Sequence, residues 1–131
     1  MTIPESHADL LERAAYWHVA TIGPDGEPQS SPVWCGTDDE GHVIFSMLAR
    51  RQKFKNLKRN PAIAMSAIDP DNAYRHLEIR GTVVSIEPDP DHSLIDAMAK
   101  KYLGVDEYPW GQPGDERVIV RVRAEHATSM G

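Results

Sequence analysis

The spacing of hydrophobic positions changes several times along the chain. Ala8 to Ala15 reads ADLLERAA, with Leu10, Leu11 and Ala14 at helical intervals, which predicts a short amphipathic helix. From Tyr16 to Ile22 aromatic and β-branched residues crowd together, the composition of a strand. Pro24-Asp25-Gly26 follows as a turn tripeptide, because proline presets φ and glycine accepts a positive one. A second strand is predicted over Gln29 to Cys35, pairing with the first as a hairpin. Polar Thr37 to Gly41 marks the next turn, and Val43 to Leu48 a third strand. Successive strands joined by turn signals predict an antiparallel meander rather than βαβ units.

Arg50 to Asn60, RRQKFKNLKRN, returns to helical spacing, with Phe54 and Leu57 on one face. Asn60-Pro61 stops it, since proline disfavours helix at the preceding residue. Ala62 to Ile68 predicts a fourth strand, Asp69 to Asn72 a loop, and Leu77 to Ile86 a fifth strand. Pro88-Asp89-Pro90 breaks the chain before a helix over His92 to Leu103, where Leu94, Ile95, Met98 and Tyr102 are apolar. Gly104 to Glu116 is irregular, and the alternating RVIVRVRA of Arg117 to Ala124 predicts a sixth strand. The fold class is therefore mainly β with a few helices. A six-stranded antiparallel sheet of this kind closes into a barrel, which removes exposed edges.

Composition narrows the function classes. The 131 residues suffice for one domain, residues 1–131, and 40% are apolar, enough for a core. The net charge of −6 argues against a general nucleic-acid or membrane-surface binder, which needs a basic excess. No apolar run approaches the roughly 18 residues of a spanning helix. The opening MTIPESHADLLERA lacks the basic and apolar regions of a signal peptide, so a cytoplasmic protein is expected. The single Cys35 offers neither an internal disulfide nor a zinc cluster.

Charge placement adds the first hint of chemistry. Residues 50–59 hold six of the 14 basic residues and no acid, leaving 8 basic and 20 acidic residues elsewhere. Such an island suits a discrete anion. It also opens a helix just after a strand, where first-turn N–H groups and the macrodipole favour a phosphate. A solvated basic helix face is the other reading of the same run.

Gln29-Ser-Ser-Pro-Val-Trp34 is the second feature. Pro32 cannot donate to a ladder, so this strand should be an edge or bulged there, with backbone groups free for the rim of a flat heterocycle. An ordinary edge strand would look the same. The six histidines are scattered without HxH or HExxH spacing, and no metal site is expected from them. Asp69, Asp71 and Asn72 lack the glycine and closing glutamate of a calcium loop and read as a turn. Cys35 reads as a small buried residue, since no base accompanies it. An enzyme without a legible acid, base or nucleophile takes its chemistry from a cofactor.

Four segments in order, VATIGPDGEPQSSPVW, VIFSMLARRQKFKNLKRNP, DPDNAYRHLEIRG and RVIVRVRAE, together make the chain resemble a known family. It is similar to the flavin- and deazaflavin-dependent oxidoreductases of the pyridoxamine 5′-phosphate oxidase-like, split β-barrel superfamily, in particular the branch that uses the deazaflavin coenzyme F-420. The resemblance spans residues 8–128. It implies a homodimer with cofactor sites at the interface and a small-molecule substrate. It implies that Arg51 and Lys53, helped by Arg50, hold the cofactor phosphate. Ser31, Pro32, Val33 and Trp34 would lie beside the ring system, with Ser46 and Met47 at the end of the third strand. The opposite subunit would contribute Tyr74, Arg75 and Trp110. The chain ends at Gly131 without the C-terminal substrate-binding extension of true pyridoxamine phosphate oxidases, so a reaction other than theirs is expected. The reaction implied is hydride transfer from reduced F-420 to an enone or quinone. FMN in place of F-420, or a cofactor-storage protein without turnover, are the alternatives.

Overall fold

Three helices and six strands follow one another as α1 (Asp9–Glu12), β1 (Tyr16–Ile22), β2 (Pro28–Thr37), β3 (Val43–Leu48), α2 (Gln52–Arg59), β4 (Ala62–Asp69), β5 (Asn72–Pro88), α3 (Ser93–Leu103) and β6 (Arg117–Met130). The computed structural model describes residues 3–131. The strands close a barrel in the order β1-β2-β3-β6-β5-β4, and every neighbouring pair is antiparallel. This is the expected six-stranded split-barrel fold. Alternate residues point inward, so Trp17 and Val19 of β1, Val43 and Phe45 of β3, and Val120 and Val122 of β6 meet in one buried core.

Several boundaries differ from those read in the sequence. The first helix is a single turn, because Arg13 turns extended and its guanidinium reaches Asp69 and Asp71. The expected loop at Asp69–Asn72 shrinks to a tight connection, with β5 starting at Asn72 rather than Leu77. β6 runs on to Met130 instead of ending at Ala124, pairing with His76 to Arg80 of β5: His76 faces Met130 and Arg80 faces His126. The added residues, Asn72–His76 and Glu125–Met130, are exposed or only partly buried, so no apolar alternation marks them.

Arg75, at the start of β5, packs into this corner. Its guanidinium donates to Asp69 at 2.9 Å and also to Asp9 of α1. The Arg75 bond chiefly holds Asp9 below the usual carboxylate range. Asp69 is lowered first by the Asp71 backbone N–H and then by Arg75 and Arg13. A depressed carboxylate contributes stability that is present above its unfolded pKa and is lost as pH falls through the folded one. Arg75→Ala is therefore expected to lower the melting temperature at neutral pH. The deficit should shrink once pH drops below the ordinary aspartate range near 4. Parallel thermal melts of both proteins from pH 7 down to pH 3 check this.

Two features position the site. β2 and β3 pair only over Cys35–Thr37 against Phe45–Val43, then diverge. Pro28 to Trp34 stays on β1 while Ser46 to Leu48 stays on β6, and the barrel splits between them. Pro32, without an N–H, lies on the diverging stretch, as its chemistry requires. Helix α2 then packs on β1, with its start at the split. Its Leu57 is buried in the core with Phe54 partly so, and Lys55, Lys58 and Arg59 face out while Lys53 is half-buried. Asn56 is fully buried. It ties the helix to the barrel by donating to Thr21 Oγ1 at 3.0 Å and to Gln29 Oε1 at 2.9 Å.

Candidate functional site

The split forms a cleft of about 300 Å³, at the lower end of the size range of small-molecule pockets. Pro32, Val33 and Trp34 form one wall, Ser46 and Met47 the other, and Arg51 and Lys53 close one end. A polar recess of about 490 Å³ continues past Arg51 and Lys53, lined by Thr21, Gln29, Ser30 and Ser31. Seven of the residues singled out in the sequence thus line the cleft and an eighth, Ser31, lines the recess beside it.

The cationic end is set by the start of α2. Arg51 is its N-cap, in extended backbone and without a side-chain cap, and the first turn holds no acid. Orphan first-turn N–H groups and two cations converge there, the arrangement that receives an anion. Lys53 is half-buried and donates to Ser31 Oγ at 3.0 Å. Burial, and then the neighbouring Arg51 charge, hold the Lys53 ammonium below the ordinary lysine range, opposed weakly by Cys35. Among the described residues no carboxylate lies within salt-bridge distance of Lys53 or Arg51, whereas Arg50 pairs with Asp115 at 3.2 Å. The basic island is therefore divided. Arg51 and Lys53 face the cleft; Arg50 turns to Asp115, Lys58 lies over the Phe54 ring, and Arg59 caps the Ile22 carbonyl at 2.7 Å.

The other end is aromatic. Trp34 stacks on Tyr102 with ring centroids 5.1 Å apart and planes 14° from parallel. Tyr108 meets Trp34 edge-on at 5.9 Å, and Trp110 meets Tyr108 at 5.6 Å. The Tyr102 hydroxyl bonds Ala15 and Cys35 backbone atoms, which pins the stack to the barrel. Trp110 reaches the cleft only through Tyr108 and is 59% exposed. Tyr74 is 84% exposed, and Arg75 is engaged at the corner with Asp9 and Asp69; neither lines the cleft. Cys35 is fully buried, which pushes its thiol far up and removes it as a nucleophile. Among the described residues no three metal-ligating side chains gather, and no helix is long and apolar enough to cross a membrane.

Sequence reasoning passed over Tyr16, Ile95, Tyr108 and Arg117, which also line the cleft. Tyr108 lies in an irregular segment with no period to place it, although Tyr108-Pro-Trp110 is an aromatic cluster that invites attention. Arg117 opens an alternating strand and reads as a solvent-side residue.

A family model for pyridoxamine 5′-phosphate oxidase matches residues 3–131. The chain belongs to that family. Among solved structures, this family member is similar to an F420 reductase, with 42% identity over 96% of this chain and 98% of the other, at a TM-score of 0.85. A conserved hypothetical protein from Mycobacterium tuberculosis is 27% identical, over 99% of this chain and 86% of the other, at a TM-score of 0.77. A putative pyridoxamine 5′-phosphate oxidase from Lactobacillus delbrueckii shares the fold, at 20% identity over 96% of this chain and 93% of the other, with a TM-score of 0.62. No curated protein matches the chain.

Proposed function

We propose that this family member is an oxidoreductase that binds coenzyme F-420 in the cleft between β2 and β3 and reduces an electron-poor small molecule of the enone or quinone class. One observation carries the reading. Lys53 is a half-buried ammonium with a hydroxyl partner, beside Arg51 at an uncapped helix start. A desolvated cation without a counter-ion is costly, and a phosphate at that point satisfies it. The adjoining cleft has an aromatic and apolar wall, so the donor set fits a cofactor with a phosphate and a flat ring system. The 42% identity to an F420 reductase favours the deazaflavin. FMN, with the same two features, is the second reading.

When bound, the reduced deazaflavin supplies the hydride. The chain does the rest. Arg51 and Lys53 anchor, with Ser31 orienting the Lys53 ammonium. Val33 and Met47, both buried, keep water from one side, and Trp34 presents an indole fixed by Tyr102. None of these groups is assigned a proton-transfer step. The test is turnover: purified protein with reduced F-420 and a panel of enones and quinones should oxidise the cofactor. Uptake without oxidation by any acceptor would instead mean a storage protein, and a yellow protein with an FMN spectrum the flavin reading.

Trp34 supplies a binding signal. F-420 titration should quench tryptophan fluorescence, and Trp34→Phe should remove much of the quench against the background of Trp17 and Trp110. An undiminished quench in Trp34→Phe would move the ring system elsewhere.

The same reading includes a cytoplasmic homodimer with the sites at the interface. Tyr16 and Ile68 on the outer face of β1 and β4 are 60% and 54% exposed. They border an apolar groove of about 730 Å³, a surface suited to a second copy. Exposed Tyr74 and Trp110 are then available to the partner's site. Sedimentation should give twice the 14.6 kDa chain mass; a folded monomer at micromolar concentration would refute the dimer.

A further inference from the structure

Arg117 lines the aromatic end of the cleft, and nothing above gives it a task. Its guanidinium lies over the Tyr108 ring, 4.9 Å from the centroid. Among the described residues its one polar side-chain contact, Nη1 to Ser46 Oγ, is 3.5 Å long, at the limit of a hydrogen bond. The other arginines of β6 are paired: Arg121 with Asp38 and Glu87, Arg123 with Glu125. Among the described residues no carboxylate lies within salt-bridge distance of Arg117, although its charge helps, after the Gln112 N–H and Arg50, to hold Asp115 below the usual carboxylate range. A guanidinium held over an aromatic ring by cation–π attraction keeps its N–H donors for a further partner. The platform is itself fixed, because the Tyr108 N–H donates to Asp96 at 2.9 Å and its ring meets Trp34 edge-on. The cleft thus has a further cation, beside Tyr108, with N–H donors open to an oxygen ligand.

We propose that Arg117 is the specificity-determining residue for the acceptor, receiving a carbonyl or carboxylate oxygen on its free N–H edge. This rests on the functional reading above and adds the residue that receives the oxygen to which the acceptor's reducible carbon is conjugated. Hydride addition at the carbon β to a carbonyl moves the alkene electron pair onto that oxygen. A proton from water then completes the two-electron reduction, with reduced deazaflavin as the reductant. Arg117 meets the charge where it develops, so its contribution grows along the reaction.

Benzoate, a planar carboxylate that accepts no hydride, is the binding probe, titrated calorimetrically with and without oxidised F-420. Arg117→Met should weaken benzoate about tenfold or more and lower kcat/KM for cyclohex-2-enone by a similar factor, while oxidised F-420 binding changes less than about twofold. Arg117→Lys, which keeps the charge but loses the fork, should fall between, and it carries the test should Arg117→Met melt. Three results would overturn the proposal: no benzoate binding by the wild type at millimolar concentration, equal benzoate binding by wild type and variants, or F-420 affinity falling as far as benzoate affinity, which would make Arg117 a cofactor anchor. If the wild type takes up no F-420, the functional reading fails by itself. Benzoate binding to the cofactor-free protein still decides Arg117.

Discussion

Lys53→Ala is expected to weaken F-420 binding by roughly ten- to a hundredfold and to leave the fold intact. A hydrogen bond to a charged group contributes about 1.5–3 kcal/mol, and tenfold in affinity corresponds to about 1.4 kcal/mol. Lys53 sits on the cleft side of α2 with one neutral partner, Ser31, so its removal unpairs no carboxylate. Added salt should weaken wild-type binding more than variant binding, because one screened ion pair is gone. The pH dependence has a definite sign. Burial holds the Lys53 ammonium below the ordinary lysine range, so wild-type affinity should fall with rising alkalinity sooner than an ordinary lysine would allow. Lys53→Arg should keep its affinity there. Cofactor titrations at two salt concentrations and from pH 7 to pH 10, with melting curves alongside, read all three effects. Unchanged affinity in Lys53→Ala would reduce the basic island to a solvated helix face.

Leu57→Ala, one turn further along the same helix, should do the opposite. Leu57 is buried against the barrel, and truncating a buried leucine costs about 2–5 kcal/mol. Against the 5–15 kcal/mol typical of a folded domain, that is a large part of the stability. Denaturant unfolding should show the loss, with F-420 affinity close to wild type for protein still folded at the assay temperature. Phe54, only partly buried, should cost less. A Leu57→Ala protein of full stability would mean that α2 is held by its Asn56 bonds rather than by its apolar face.

The contrast between these two residues also shows what the chain reveals before folding. Phe54 and Leu57 announce the buried face of α2 by spacing, and six basic residues announce an exposed one. Which of the six serve the cleft is decided by the split between β2 and β3, a long-range consequence of strand order. Arg50 is next to Arg51 in sequence, yet it is drawn to Asp115, 65 residues on. Pro32 foretold an unpaired stretch of strand from its missing N–H alone. The lengths of β5 and β6 were hidden for a different reason: the added residues, Asn72–His76 and Glu125–Met130, are exposed or only partly buried, and backbone pairing leaves no mark on hydrophobic spacing. Tyr108 and Arg117 were equally illegible, because their meeting depends on how an irregular segment folds back over α3.

The central claim is that the cleft between β2 and β3 is a phosphate-anchored deazaflavin site. The most direct measurement is a side-by-side equilibrium titration of purified protein, stripped of any ligand, with F-420 and with FMN at physiological ionic strength. Saturable F-420 uptake, one equivalent per chain, tighter than FMN and weakened at least tenfold by Lys53→Ala, is the predicted result. Uptake of neither cofactor, or F-420 uptake that Lys53→Ala and Arg51→Ala both leave untouched, would contradict it.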